Sequence, residues 1–134
     1  MKICICGGGS LGHVCAGVLS SHPDIEVSVL TRRPQLWSHK IEGTDPDGKV
    51  FISSDLLATS SEQEAVSGAD IVLLCLPGYL IEETLKSILP YIGERTSVGS
   101  IVSNTGFFFH AHKILPSTIG LFGFQRTPFI ARVN

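Results

Sequence analysis

Apolar residues in this chain come in short runs, punctuated by glycine, proline and polar turn residues, and the runs alternate between two spacings. Residues 2–6 read KICIC, an apolar run that predicts a first strand. A glycine cluster follows. The apolar positions between Ser10 and Ser21 then recur at helical spacing and predict a helix over about 10–21. His22-Pro-Asp24 is a turn, because proline keeps the preceding residue out of the helical region. Ile25–Leu30 (IEVSVL) reads as a second strand, Thr31–Pro34 closes it, and Gln35–His39 forms a short helical turn. Two short extended runs flank Asp45-Pro-Asp-Gly48, which is strong turn chemistry, so a β-hairpin is expected there. Residues 57–60 add a short strand. Ser60-Ser-Glu-Gln-Glu64 reads as an N-cap followed by early acidic residues and starts a short helix.

The second half repeats this alternation. Ala69–Leu76 (ADIVLLCL) is the clearest buried strand, ended by Pro77-Gly78. A helix follows over about 79–89, with Leu80, Ile81, Thr84, Leu85, Ile88 and Leu89 on one face and Pro90 at its exit. Residues 97–102 form a strand and Ser103-Asn-Thr-Gly106 the loop at its end. Residues 107–115 form a helix whose Phe107-Phe-Phe109 run reads as core, and 119–124 form a further strand. Gln125-Arg-Thr-Pro128 interrupts that strand, and 129–133 begins something new. Strands alternating with helices predict an α/β fold: a doubly wound, Rossmann-type, mostly parallel sheet with an inserted β-hairpin. Such sheets bind ligands beyond the carboxyl ends of their strands. That rule gathers the loops at Gly7–Gly12, Thr31–Pro34, Leu76–Gly78 and Ser103–Gly106 on one edge.

The first of these loops carries the most specific signal. Gly7-Gly-Gly9-Ser-Leu-Gly12 is a G-x-G-x-x-G that leaves a strand and opens a helix, the context that gives the pattern meaning. Gly7 permits the tight turn, Gly9 lets the backbone approach a pyrophosphate, and Gly12 lets the helix pack close to the strand. The N–H groups of the first helical turn, around Ser10 and Leu11, then face the phosphates with the helix dipole behind them. The plain alternative is a glycine-rich turn with no ligand.

The end of the second strand bears on which dinucleotide. An NAD site commonly places Asp or Glu there for the ribose 2′-hydroxyl. This chain places Thr31, Arg32 and Arg33 there, and no carboxylate falls between Glu26 and Glu42. Guanidinium forks match phosphate oxygens. NADP(H) is therefore expected, with NAD(H) as the alternative. Arg32 is assigned as the main 2′-phosphate ligand, with Arg33 beside it and Thr31 as a hydroxyl donor. Leu76, Pro77 and Gly78 are expected to line the nicotinamide-ribose side, and Ile81 to pack against the adenine or ribose. Asn104 and Thr105 stand where they could donate to a nicotinamide amide or a substrate oxygen. His13, just past Gly12, reads as a partly exposed surface residue, with an approach to a phosphate as the alternative. His110 and His112, two residues apart on a helix, face different ways and suit no metal.

Composition narrows the class. At 134 residues, 43% hydrophobic and only 16% charged, the chain is one domain that can bury a sheet on both faces. A formal net charge of −2 gives no basic field for nucleic acid. Each apolar run is broken before it reaches membrane-spanning length, and the glycine loop interrupts any leader-like start. A cytoplasmic protein with a small-molecule substrate is expected, with homo-oligomerisation open. Cys4, Cys6, Cys15 and Cys75 form no Cys-x-x-Cys and no metal site, and read as small buried hydrophobes.

Three stretches carry a family resemblance: Gly7-Gly-Gly-Ser-Leu-Gly-His13, Ala69-Asp-Ile-Val-Leu-Leu-Cys-Leu-Pro77 and Thr127-Pro-Phe-Ile-Ala-Arg132. Together they resemble the N-terminal domains of the 6-phosphogluconate-dehydrogenase-like superfamily, which includes opine (octopine) dehydrogenases, ketopantoate reductases and glycerol-3-phosphate dehydrogenases. The last stretch and the hairpin are most similar to opine dehydrogenases. Ser103-Asn-Thr-Gly106 is nearer to ketopantoate reductases. The resemblance implies a cofactor domain of an oxidoreductase that reduces a 2-keto acid, or its imine with an amino acid. It also implies a helical C-terminal catalytic domain absent from residues 1–134, which leaves the catalytic residues unknown and this piece inactive alone. A ketopantoate-reductase-like domain and a stand-alone dinucleotide-sensing module are the other readings.

Overall fold

The computed structural model describes residues 1–128, 130, 132 and 133, with Thr105 described by its backbone alone. Eight strands and four α-helices follow in the order β1 (Lys2–Cys6), α1 (Ser10–Ser20), β2 (Glu26–Leu30), β3 (Glu42–Thr44), β4 (Val50–Ile52), β5 (Leu57–Thr59), α2 (Glu62–Val66), β6 (Ile71–Leu74), α3 (Ile81–Ile88), β7 (Ser97–Ser100), α4 (Phe107–Ile114) and β8 (Gly120–Gly123). Six of the strands form one sheet in the order β5-β2-β1-β6-β7-β8, and every pairing in it is parallel. The order reverses between β1 and β6, which puts a topological switch point beside the glycine loop.

Strand alternation distributes the core. On β1, Cys4 and Cys6 face one side of the sheet and Ile3 and Ile5 the other. The first side is covered by α2, α3 and α4 through Val66, Ile81, Leu85, Ile88, Phe107 and Ala111. The second is covered around β1, β2 and β6 by α1 through Cys15 and Ala16. All four cysteines are buried, as the sequence predicted.

The inserted hairpin is present as β3 and β4, paired antiparallel around the Asp45–Gly48 turn. Asp45 Oδ1 accepts the N–H groups of Asp47 (3.0 Å) and Lys49 (2.8 Å), and Gly48 supplies the positive φ of 81°. The hairpin rests on α1, where Gly17 leaves room for Ile41 and Phe51. Ser61 caps α2 by accepting from Glu64 N, and the Thr59 hydroxyl donates to Glu64 Oε2 at 2.6 Å.

Two expectations need correcting. The Phe107-Phe-Phe109 run is not all core: Phe107 is 0% exposed, Phe108 is half-exposed and Phe109 is 71% exposed. Successive residues on a helix point about 100° apart, so one of three neighbours can face the sheet fully. Strand 119–124 is also shorter than its apolar run, because only Gly120–Gly123 pairs with β7. Of the stretch beginning at 129, Phe129 and Ala131 lie outside the described residues.

Phe107→Ala should lower the free energy of unfolding by about 3–5 kcal/mol in urea titration, whereas Phe109→Ala should shift it by less than about 0.5 kcal/mol.

Candidate functional site

In an all-parallel sheet every strand ends on the same edge, and here five backbone hydrogen bonds continue the ladder past that edge. Thr31 N donates to Thr59 O (2.9 Å), Gly7 N to Leu30 O (3.1 Å), Cys75 N to Cys6 O (2.8 Å), Ile101 N to Leu74 O (3.1 Å) and Phe124 N to Ser100 O (3.1 Å). Each bond fixes the first residue after a strand against its neighbour. The four loops singled out by the sequence therefore leave the sheet from fixed starting points.

The glycine loop is stacked with no spare room. Gly7 has φ 134°, and a Cβ there would collide with the Cys75 carbonyl oxygen and press on Leu76. A Cβ on Gly12 would collide with the Gly7 carbonyl oxygen. Gly8 is equally constrained, since its Cβ would lie 2.5 Å from Thr31 Oγ1 and 3.6 Å from Trp37 Nε1. Gly9 differs: a Cβ there meets nothing within 4 Å. Gly9 is also the N-cap of α1, with no side-chain cap, and the first turn through Ser10, Leu11 and Gly12 contains no acidic residue. An open space at an uncapped helix head is what a pyrophosphate requires. These residues fit such a group.

At the neighbouring strand end, Thr31 is buried. Its hydroxyl oxygen accepts from Arg33 N at 3.3 Å and packs against Gly8, so it braces the loop. Arg32 and Arg33 are exposed. A 3₁₀ turn over Pro34–Leu36 then brings back Trp37, whose ring stacks on His13 with centroids 3.7 Å apart and planes at 20°. His13 Nδ1 lies 3.0 Å from the Gly9 carbonyl oxygen. The stack joins the loop after β2 to the first turn of α1. Sequence reasoning passed over Trp37 and Gly8; His13, expected as a partly exposed surface residue, is half-buried beneath the Trp37 ring. The available signal was one tryptophan directly after the arginine–proline turn.

On the other side, Leu76 is half-buried against Gly7, Pro77 is exposed, and Gly78 opens a 3₁₀ turn over Gly78–Leu80. Ile81 does not reach the edge. It is 0% exposed and packs with Leu85 and Ile88 under the sheet, so its assignment to the adenine or ribose is corrected. The apolar face of α3 that the sequence shows is the core face, and Ile81 belongs to it. Asn104 is exposed on a 3₁₀ turn over Ser103–Thr105 and borders a cleft of about 580 Å³ whose far wall includes Gln125, Arg126 and Thr127. The side chain of Thr105 lies outside the described residues.

Among the described residues, no helix is long and apolar enough to cross a membrane.

The ketopantoate reductase PanE/ApbA family profile matches residues 3–106. Octopine dehydrogenase of Mizuhopecten yessoensis is 26% identical over 152 aligned positions, covering 100% of this chain and 37% of the relative. Tauropine dehydrogenase of Arabella iricolor is 27% identical, covering 97% of this chain and 36% of that protein. A solved octopine dehydrogenase in complex with NADH and agmatine superposes with a TM-score of 0.89 at 27% identity, covering 99% of this chain and 37% of that one. The chain thus spans just over a third of the length of the curated relatives it matches from end to end.

Gly12→Ala should cost more than about 2 kcal/mol of stability in thermal or urea unfolding, because backbone must move. Gly9→Ala should cost less than about 1 kcal/mol, the loss of a modest N-cap, because its Cβ enters open space.

Proposed function

The chain belongs to the ketopantoate reductase PanE/ApbA family, and on that premise we propose that it is the NADP(H)-binding domain of an opine-dehydrogenase-like oxidoreductase. One observation carries the reading. The only glycine of the G-x-G-x-x-G motif with room at its Cβ position stands at the uncapped head of α1, one strand away from Arg32 and Arg33. The pyrophosphate would lie against Gly9 and the N–H groups of Ser10 and Leu11, with Gly7 and Gly12 holding that backbone in place. Arg32, and Arg33 beside it, would meet a 2′-phosphate, with Thr31 bracing their loop. Leu76, Pro77 and Gly78 would line the nicotinamide-ribose side, and Asn104 would face the nicotinamide amide or a substrate oxygen.

When bound, the cofactor supplies hydride to a carbonyl or imine, and the protein positions it and shields it. The relatives that match from end to end favour a 2-keto acid, or its imine with an amino acid, as the acceptor. Their additional length supports a second, helical domain that completes the substrate side and carries the acid–base groups. A ketopantoate-reductase-like activity is the second reading, favoured by the family match over residues 3–106. Four unpaired thiols accord with a cytoplasmic setting.

Titration of Trp37 fluorescence, the chain's one tryptophan, measures dinucleotide binding directly. NADPH should bind more tightly than NADH. Arg32→Ala should narrow that gap by about tenfold, the value of one charge-assisted contact to phosphate. Equal affinity for the two cofactors before mutation would refute the arginine assignment.

A further inference from the structure

Cys15 on α1 and Cys75 just beyond β6 are 60 residues apart in sequence, yet their sulfurs lie 3.9 Å apart, with the Cys75 thiol donating to Cys15. Both are buried, at 3% and 8% exposed. Cys75 is also the residue whose carbonyl oxygen closes on Gly7, and Cys15 lies one turn beyond Gly12 on the helix that Gly7 leads into. The pair therefore links two walls of the glycine loop. Cys4 and Cys6 are a poorer pair. As positions i and i+2 on one strand their Cα atoms stand about 7 Å apart, at the limit a disulfide can span.

We propose that Cys15 and Cys75 form a reversible dithiol–disulfide site that responds to peroxide and loosens the dinucleotide loop when oxidised. The chemistry balances with hydrogen peroxide as oxidant. The Cys15 sulfur attacks one peroxide oxygen, the O–O bond breaks, and hydroxide leaves to take up the displaced proton as water. Cys75 sulfur then attacks the resulting sulfenic sulfur, forming S–S and expelling a second hydroxide, which takes the Cys75 proton. Two thiol hydrogens leave, and the peroxide is reduced to two waters. The donor–acceptor arrangement favours Cys15 as the first nucleophile: accepting from Cys75 lowers the Cys15 thiol, and donating, together with burial, raises Cys75.

Closing the gap from 3.9 Å to a bond of about 2.0 Å pulls α1 toward the start of the β6–α3 loop. The stacked contacts of Cys75, Gly7 and Gly12 leave no slack there. The effect on the dinucleotide rests on the function proposed above, whereas the formation of the bond does not.

The test is peptide mapping of the purified protein after peroxide treatment and alkylation. A Cys15–Cys75 linked peptide that dithiothreitol releases is expected, and Cys75→Ser, which keeps a hydroxyl donor to Cys15 but cannot form the bond, should instead accumulate a sulfenic acid at Cys15 that dimedone traps. NADPH affinity should fall about tenfold on oxidation and recover on reduction. Free, alkylatable Cys15 and Cys75 after treatment, or a Cys4–Cys6 link in their place, overturns the site. A correctly mapped bond with unchanged NADPH affinity overturns its control of the loop. A reduced protein that binds neither NADPH nor NADH refutes the proposed function and leaves the thiol result to stand on the mapping.

Discussion

Parallel registration of six strands is the constraint on which everything else depends. Backbone N–H and C=O groups must be paired when buried, and a parallel ladder pairs them with all chain exits on one side. Five bonds carry the ladder one residue beyond the strands, from Thr31–Thr59 at one end to Phe124–Ser100 at the other. They remove the freedom that loops usually have at their roots. Arg32, Gly9, Pro77 and Asn104 come from widely separated parts of the sequence, and the parallel ladder sets their loops on one edge of the sheet.

Within that frame the glycines divide by job. Gly7, Gly8 and Gly12 are small because protein atoms already occupy the place a side chain would take: the Cys75 carbonyl, the Thr31 hydroxyl and the Gly7 carbonyl. Gly9 is small with nothing of the protein against it. Three glycines make the turn, and one leaves a space at a helix head. The His13–Trp37 stack spans from this helix head to the loop after β2, so these two loops are braced against each other.

The architecture was legible in the sequence because period and punctuation agree locally. The apolar runs at 2–6 and 69–76, the Asp45–Gly48 turn and the Ser61 cap each became the element they predict, with strands trimmed where pairing partners end. What escaped depends on tertiary placement. An amphipathic face at Ile81 reads the same whether it covers a core or a cofactor, and here it covers the core. Three consecutive phenylalanines cannot share one side of a helix, yet composition alone groups them. The Cys15–Cys75 approach and the His13–Trp37 stack join residues far apart in sequence, for which no spacing rule exists. The carboxylate-free end of β2 and the glycine motif were visible because each lies at a strand end that the apolar runs mark.

The two outermost strands carry a last consequence. β5 offers three residues and β8 four, and β8 is bracketed by Gly120 and Gly123. Rims this brief are weak templates for a foreign strand. Among the described residues, the sheet's margins therefore present few free backbone groups on which a further strand could pair.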